Sequence, residues 1–374
     1  MAKIKFPSRT GLKREIFHNT GDLFALDRDE IREKRGSLRP TANRTPASSP
    51  ASFADNLEVH PSITDFVINA RRKEIETAAD SDSSLSLDRS ELRDTEKLTF
   101  ISFGSGSSGN CSYLGTRSEG ILIDAGVDAE NVREQLRSHG ISPRCVKAII
   151  ITHDHTDHVK YVYPLVKKRP DLGIYCTPKT LTGLLRRHSI SRRVKDFHRP
   201  IYKEFAFNAG PFEIIPFEVS HDGTDNVGYF IRHGQTAIAI ATDLGCITPR
   251  VDFYMRQANH IVIESNYDAE MLMRGPYPMH LKARIAARNG HLDNAVTGEF
   301  LASIMSERLH NIFLCHLSQD NNRPEIAVET VRKSLANAGI DSIGDGSGSV
   351  ADREKQLQLV ALPRTTASAL FTLR

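Results

Sequence analysis

The feature that most constrains this chain is the hexapeptide HDHTDH, which begins at His153. It directly follows the apolar residues 146–151, which predict a buried strand. Residues two apart in an extended segment point the same way, so His153 and His155 are expected to converge on one point. Asp157 and His158 follow on the turn and can face a second point. Imidazole and carboxylate groups together suit Zn, Mn or Fe, so a metal site is predicted rather than a histidine-rich surface loop.

Composition argues against membrane and disulfide-rich classes of protein. No stretch approaches the roughly 20 apolar residues of a membrane helix, and the opening MAKIKFPSRTG lacks the apolar core of a secretory signal. The five cysteines are scattered and never in CxxC spacing, which argues against a disulfide framework. We therefore expect a cytoplasmic protein without a membrane partner.

The first 95 residues differ in composition from the rest of the chain. Residues 37–56 are rich in Pro, Ser, Ala and Thr, and residues 80–96 are polar and charged. Both patterns are typical of linkers or disorder. Between them, residues 63–79 can form one amphipathic helix.

From Leu98 onward the apolar pattern predicts a mixture of strands and helices, which indicates an α/β layered fold. The predicted strands are residues 98–103, 121–123, 146–151, 213–219, 228–232, 236–241, 260–264, 311–314 and 356–361. The predicted helices are residues 128–139, 180–188, 279–288, 294–306 and 325–338. A Gly/Ser-rich hinge is predicted at residues 344–349.

Four further candidate residues each follow a predicted strand. They are Asp124 in ILIDAG, His221 in EVSHDG, Asp243 in AIATDLG and His316 in FLCHLS. Any one of them alone is more simply explained as a structural residue at a strand end. Their order along the chain and their shared position after strands favour a common site.

The order Asp, HxHxDH, His, Asp, His resembles the motif series of the metallo-β-lactamase-fold hydrolases, from about Leu98 to the end of the chain. The segments FGSGSSGNCSYL, THDHTDHVK, VSHDGTDNVGY, VIESNYD, NGHLDN and HLSQDNN more narrowly resemble the YycJ/WalJ branch, which are 5′-to-3′ DNA exonucleases. This resemblance implies a four-layer αββα fold for a catalytic domain at residues 96–374. It implies nothing for residues 1–95, which we expect to be a poorly ordered extension.

The resemblance also implies a site for two divalent metal ions, Zn or Mn. The ligands it implies are His153, His155 and His221 for one ion, and Asp157, His158 and His316 for the other. Asp243 would bridge both ions, and Asp124 would orient the histidine loop without binding metal. Two ions about 4 Å apart can activate water and hold the oxygens of an in-line phosphoryl displacement. Asp157 and Asp243 would therefore also be catalytic.

A second pair of residues is a candidate for proton transfer. Glu264 in VIESN and His291 in NGHLDN resemble the Glu–His pair that supplies a proton in the related RNase Z enzymes. Such a carboxylate keeps its imidazole protonated near neutral pH until the proton is donated. The alternative is that Glu264 caps a strand and His291 lies on the surface.

The sequence GSGSSG at residues 104–109 satisfies the GxGxxG pattern of dinucleotide-binding loops. A Rossmann loop must open a helix, whereas here the chain leads toward the strand that ends at Asp124. We therefore predict a tight hairpin lining the metal cleft, with backbone N–H groups available to a phosphate.

Charge distinguishes a polymer substrate from a small molecule. Residues 167–199 contain ten Lys or Arg against two Asp, a local excess of +8 in a chain of formal charge +3. Such an excess is typical of a surface that binds a polyanion, and the alternative is a solvated helix face. The candidate substrate-binding residues are Arg186, Arg187, Arg192 and Arg193, together with Asn321 and Asn322, which can bind phosphate or form a turn.

Three functions remain open at this point. The first is a two-metal phosphodiesterase acting on nucleic acid, with a DNA exonuclease favoured over an RNA enzyme. The second is a glyoxalase-II-like thioester or lactone hydrolase, which should have a compact, less cationic cleft. The third is a non-catalytic metal-binding module. The cationic residues 167–199 favour the first.

Overall fold

Two mixed β-sheets position the candidate site residues. The computed structural model describes residues 97–347 and 356–373, all of which lie in one compact unit. The predicted extension at residues 1–95, with its helix at residues 63–79, lies outside the described residues.

The first sheet has seven strands. They are β1 (Leu98–Gly104), β2 (Cys111–Gly115), β3 (Gly120–Ile123), β4 (Val146–Ile150), β5 (Gly173–Cys176), β6 (His198–Pro200) and β15 (Phe371–Leu373). Their order across the sheet is β15-β1-β2-β3-β4-β5-β6. The strands β3 to β6 are parallel, and the remaining neighbours are antiparallel.

The second sheet has eight strands. They are β7 (Phe207–Ala209), β8 (Phe212–Glu218), β9 (Val227–His233), β10 (Thr236–Ala241), β11 (His260–Glu264), β12 (Asn311–Cys315), β13 (Ile343–Gly344) and β14 (Leu357–Ala361). Their order is β13-β14-β12-β11-β10-β9-β8-β7, and the strands from β13 to β10 are mutually parallel. Neighbouring parallel strands have their carboxyl ends at the same edge of the sheet. Candidate site residues come just after these strand ends.

Nine α-helices lie within the described ranges. They are α1 (Ala129–Ser138), α2 (Thr156–Val159), α3 (Val162–Lys168), α4 (Pro178–Arg187), α5 (Pro249–Met255), α6 (Ala269–Arg274), α7 (Met279–Ile285), α8 (Asn294–Ser303) and α9 (Pro324–Asn337). Two 3₁₀ helices occupy Pro143–Cys145 and Arg192–Phe197. In this part of the chain, no helix combines the length and the apolarity needed to cross a bilayer.

Alternating side chains build four layers from these elements. In β4, Ile150 packs between the two sheets, whereas Ile149 packs against the helices on the outer face of the first sheet. In β11, Val262 packs between the sheets, whereas Ile261 and Ile263 pack against the helices of the second sheet. Successive strand residues point to opposite faces, so both faces of each sheet are buried. The predicted α/β fold with αββα layers is confirmed.

The structure corrects some predicted boundaries. The helix predicted at residues 279–288 ends at Ile285, because the His291 N–H bonds back to the Ile285 carbonyl over 2.8 Å and turns the chain toward the site. The helix predicted to reach residue 306 ends at Ser303. Gly344, predicted to begin a hinge, instead pairs with Gln358 in the edge of the second sheet.

A chain lacking residues 1–90 is expected to remain folded. The strand β1 finds both of its neighbours, β2 and β15, among the described residues, so the first sheet closes without the extension. We expect the truncated protein to keep the cooperative unfolding transition and metal content of the full chain, as measured by circular dichroism and elemental analysis. Insoluble or metal-free truncated protein would show that the extension contributes to the core.

Candidate metal centre

The candidate site residues lie at the carboxyl ends of five strands. Asp124 follows β3, His153 lies just beyond β4, and Asp243 lies just beyond β10. His221 follows β8, and His316 is the residue directly after β12. The two sheets face each other, so side chains leaving these ends converge from both sides, as the order of motifs predicts.

Three imidazoles form one half of the site. The ligand atoms of His153, His155 and His221 all lie within 4.8 Å of one another. The His221 Nε2 atom is 3.3 Å from the Nδ1 atom of His155, and His221 Nδ1 lies 2.9 Å from the carbonyl oxygen of Gly290. That carbonyl fixes the ring and leaves Nε2 facing the other two imidazoles. The three histidines can therefore hold one metal ion.

Asp157, His158 and His316 form the other half, again with ligand atoms within 4.8 Å. The Asp157 Oδ2 atom lies 3.4 Å from Nε2 of His158 and 3.4 Å from Nε2 of His316. The short helix α2 carries two of these residues, and all three are buried. This group offers two nitrogens and a carboxylate, a donor set suited to Zn or Mn.

The carboxylate of Asp243 lies between the two halves. Its Oδ2 atom is 3.1 Å from Nε2 of His158, and its Oδ1 atom is 3.3 Å from Nδ1 of His316 and 3.7 Å from Nε2 of His221. One oxygen therefore faces the second group alone, while the other is shared with the first. This is the placement that a bridging ligand requires.

Unsatisfied buried atoms test whether the site fits metal ions. The Nε2 atom of His153 and the Oδ1 atom of Asp157 are buried without a hydrogen-bond partner. Buried polar atoms normally have partners, because leaving one unpaired costs about 1–3 kcal/mol. Both atoms belong to the groups described above, so coordination to a divalent ion would satisfy them. The residues present therefore fit a metal centre.

The two halves differ in their electrostatics. Burial lowers the pKa of His153 well below its usual value and lowers the pKa of His155 to about 4, so both are neutral near pH 7, which is the form that can bind a metal ion. In the other half, burial again opposes charge, but Asp243 and neighbouring carboxylates raise the pKa of His316 to about 10 and that of His158 well above its usual value. The carboxylates on this side strongly favour positive charge, which a divalent ion supplies.

Asp124 holds the histidine loop in place. Its Oδ2 atom is 2.7 Å from Nδ1 of His158, and its Oδ1 atom accepts the backbone N–H of Thr152 over 2.8 Å. The Thr152 hydroxyl donates to the same carboxylate, over 2.9 Å to Oδ2. Asp124 and His316 both adopt positive φ, 61° and 52°, which is unfavourable for residues other than glycine. The backbone is therefore strained at these two residues. We attribute the strain to the need to point both side chains into the site.

Glu264 joins the candidate proton donor to the metal ligands. Its Oε1 atom lies 2.7 Å from Nδ1 of His291 and 2.8 Å from Nδ1 of His316. Its Oε2 atom accepts the backbone N–H groups of Leu244 and Leu292. Burial disfavours the charged forms of Glu264 and His291, but each charge stabilises the other. The pKa of Glu264 therefore lies below its usual value, and the pKa of His291 lies above its usual value. The contact with His316 was not foreseen from the sequence.

The glycine-rich turn also reaches the site. It joins antiparallel β1 and β2, so it is a hairpin and not a dinucleotide loop. The Nδ2 atom of Asn110 lies 2.9 Å from Oδ2 of Asp157, and the Ser105 hydroxyl accepts the His316 N–H over 2.9 Å. A Cβ on Gly126 would lie 1.5 Å from the carbonyl oxygen of Asp157, so only glycine fits there. The sequence signal for Asn110 is its position at the end of the predicted turn.

Two acidic residues beside the histidines were missed by sequence reasoning. Asp154, at the second position of the hexapeptide, is fully buried and accepts the N–H and hydroxyl of Thr224 over 2.8 and 2.6 Å. Asp222 places Oδ1 3.3 Å from Nε2 of His155 and receives Arg284 Nη2 over 2.6 Å at Oδ2. Both lie next to candidate ligands in the sequence, but Thr224 is 70 residues from Asp154 and Arg284 is 62 residues from Asp222.

The predicted substrate-binding arginines differ in their relation to the site. All four are exposed. Arg187 reaches the histidine loop, with Nε 3.6 Å from Oδ2 of Asp154, and Arg186 precedes it at the end of α4. Arg192 and Arg193 lie on the following 3₁₀ helix, where Arg193 Nε is 3.6 Å from Asp196. The structure thus brings the end of α4 to the metal centre.

The structure corrects the suggestion that Asn321 and Asn322 contact substrate phosphates. Both are buried. The Asn322 amide donates to the carbonyl oxygens of Ser265 and Asn266, each over 2.9 Å, and its Oδ1 accepts Nδ2 of Asn294 over 3.0 Å. Asn322 therefore serves the turn that was the alternative, and Asn321 is buried beside it with an Oδ1 atom that lacks a hydrogen-bond partner.

Two facing sheets with paired His/Asp clusters at their strand ends define the metal-dependent hydrolases of the metallo-β-lactamase fold. The family profile described as "Beta-lactamase superfamily domain" matches residues 119–312. The chain belongs to this superfamily and is a metal-dependent hydrolase. This assignment excludes the non-catalytic metal-binding module.

Individual relatives agree with the family assignment. The chain is 32% identical over 248 residues to "Exodeoxyribonuclease YycJ" of Bacillus anthracis, covering 65% of this chain and 90% of the relative. It is 32% identical over 237 residues to "Exodeoxyribonuclease WalJ" of Streptococcus pneumoniae, covering 63% and 87%. The fold resembles that of the metallo-beta-lactamase fold protein YhfI from Bacillus subtilis, with a TM-score of 0.51, 13% identity and coverage of 72% and 99%.

Proposed function

We propose that the protein is a two-metal phosphodiesterase that degrades nucleic acid, and specifically a DNA exonuclease. The observation that carries this proposal is the 32% identity to two proteins named exodeoxyribonucleases, which extends over 90% of one and 87% of the other. A 5′-to-3′ direction is what the resemblance of the motifs to the YycJ/WalJ branch implies.

The site geometry supports phosphodiester hydrolysis. Divalent ions bound by the two groups of ligands would neutralise phosphate charge and lower the pKa of a water molecule. The chain itself supplies the remaining parts. Asp243 spans both halves, and His291 is placed with Glu264 at the edge of the site, its side chain 18% exposed. A positioned imidazole of this kind can donate a proton to the leaving 3′-oxygen, which is a poor leaving group without one.

The basic end of α4 supports a polyanionic substrate. Arg186 and Arg187 are exposed beside the hexapeptide, and guanidinium groups bind phosphate oxygens in a bidentate manner. Because Arg187 also faces the buried carboxylate of Asp154, it has a structural role in addition. Tests of phosphate binding should therefore change the neighbouring arginines and leave Arg187 in place.

The proposal is tested with end-labelled single- and double-stranded DNA and RNA, adding Mn, Zn or Mg in turn. We expect mononucleotide release from DNA. Reversing Arg186, Arg192 and Arg193 to Glu should then weaken DNA binding and flatten its salt dependence. Each lost phosphate contact on a single strand removes about 0.7 from the log–log slope, so three contacts remove roughly 2. Hydrolysis of a small nitrophenyl phosphodiester should be unchanged.

A matched control reverses Arg133, Arg137 and Arg144, which carry the same charge on or next to α1. It should leave the salt dependence of DNA binding intact. If both triple variants behave alike, residues 186–193 are only a solvated surface. Turnover of thioesters or lactones without any cleavage of nucleic acid would favour the small-molecule hydrolase instead.

A further inference from the structure

A groove opens beside the metal ligand His221. Its volume is about 740 Å³, and its lining includes Lys203, Asp225, Arg250 and Phe253 in addition to His221. His221 belongs both to the groove wall and to one group of candidate ligands, so the groove adjoins the candidate metal centre. A strand of substrate lying at the metals can therefore extend into it.

One exposed aromatic side chain lines this groove, and two more lie in the turn that contributes Lys203 to its wall. Phe253, on α5, is 46% exposed, and Tyr202 and Phe205 are 57% and 71% exposed. The latter two flank Lys203 and belong to one turn, in which the Phe205 N–H donates to the Tyr202 carbonyl over 3.2 Å. Large aromatic rings are usually buried in monomeric proteins, so three in or beside one groove indicate a binding surface.

Glu204 fixes this turn against α5. It has a positive φ of 68°, which is unfavourable for glutamate. Its N–H donates to the Pro216 carbonyl over 2.7 Å, its Oε2 accepts the Tyr254 hydroxyl over 2.7 Å, and its Oε1 lies 3.5 Å from Nε of Arg250. These contacts maintain the strained conformation and hold the turn against α5, which carries Phe253.

Charge on the groove is balanced. Lys203 is 2.7 Å from Asp225 and 3.2 Å from Glu218, and Arg250 is paired with Glu204. Such paired cations are poor partners for a phosphate backbone. The composition suits uncharged, flat groups that stack on aromatic rings.

The helix α4 contacts Asp225, and residues 224–225 also line the groove. The Thr180 hydroxyl of α4 donates to the Asp225 carbonyl over 3.0 Å, and Asp154 links Thr224 to Arg187. The basic end of α4, the metal ligand and the aromatic groove are thus held together by one loop. A strand with phosphates toward α4 can place its bases toward the groove.

We propose that Tyr202, Phe205 and Phe253 form a stacking surface for unpaired bases of the nucleic-acid strand held at the metal centre. This inference rests on the proposed nuclease function. Stacking on aromatic side chains is tolerant of sequence, since every base has a π-face. The groove therefore accounts for single-strand binding without base-specific recognition.

The test uses the full-length, metal-loaded protein and a single-stranded DNA oligonucleotide, with and without abasic sites in its terminal six nucleotides. The triple variant Y202A/F205A/F253A should raise KM for the normal oligonucleotide by roughly 5- to 150-fold per lost stack. It should leave kcat, metal content and the hydrolysis of a nitrophenyl phosphodiester unchanged. For the abasic oligonucleotide, wild type and variant should have equal KM.

The control variant M273A/V296A removes exposed apolar side chains from α6 and α8, which are 59% and 44% exposed, and should not change KM. Tyr202→Phe keeps the ring and should also preserve KM. If wild type cleaves DNA and the triple variant does so with unchanged KM, only the stacking surface is refuted. If wild type cleaves no nucleic acid, the nuclease function is refuted instead. A triple variant that loses only self-association in sedimentation would assign the surface to a second copy.

Discussion

Replacing Asp243 with alanine is expected to remove activity more completely than any other single change at the metal centre. Its two oxygens lie 3.1 Å from His158, 3.3 Å from His316 and 3.7 Å from His221, so it contacts ligands of both halves. Losing it should weaken both ion sites by more than the ~10–100-fold that follows from changing an outer partner of a ligand. Elemental analysis should show fewer than two ions per chain, with phosphodiester turnover at background.

Asp124→Asn provides the graded control for this prediction. Asp124 contacts His158 over 2.7 Å and Thr152 over 2.8 Å, and it orients the loop from behind the ligands. Its replacement should lower metal affinity by ~10–100-fold, and added metal should restore turnover. An Asp243→Ala protein that kept both ions and near-normal turnover would disprove the bridging assignment.

Replacing His291 with alanine is expected to slow DNA cleavage by ~10²–10⁴, which is the usual contribution of a positioned general acid. The ring is held by Glu264 over 2.7 Å; it forms a cluster with Asp243, Glu264 and His316 but lies outside the two groups of three assigned ligands. Metal content should therefore be unchanged. A nitrophenyl phosphodiester has a leaving group that needs little protonation, so its hydrolysis should be affected far less.

His291 is the informative position for this test, because Glu264 also contacts His316 over 2.8 Å. A change at Glu264 would disturb a candidate metal ligand together with the candidate proton donor. His280→Ala, at an exposed histidine on α7, is the matched control and should leave both rates unchanged. Equal losses on DNA and on the nitrophenyl substrate after His291→Ala would rule out proton donation.

Much of the fold could be predicted because its signals are local. The run of apolar residues before His153 forms β4, and Asp128 caps α1 by accepting the N–H of Glu130 over 3.0 Å. Short elements were missed, among them β6 and β15, which have three residues each. A strand of three residues is defined by its neighbours in the sheet, so its own sequence contains too little periodicity to reveal it.

The sequence by itself determined which residues meet at the metal centre. Spacing within the hexapeptide and the position of each later His or Asp after a strand depend on backbone periodicity and motif order, which are legible in a linear chain. The division into two groups of three came from the resemblance of the motifs, and both groups are among the clusters found in the described residues. Their roles as ligands remain to be tested by the variants above.

Only the tertiary structure decided what surrounds those residues. Asp154 reaches Thr224 across 70 positions, Glu264 reaches His316 across 52, and the Ser105 hydroxyl reaches the His316 N–H across 211. A Cβ on Gly183 would lie 2.0 Å from Oδ2 of Asp154, a close approach that no local pattern signals. The structure likewise buries Asn322 in a turn and leaves the Phe205 ring exposed. Such contacts depend on how segments far apart in the sequence pack together, and local sequence periodicity does not show which distant segments will meet.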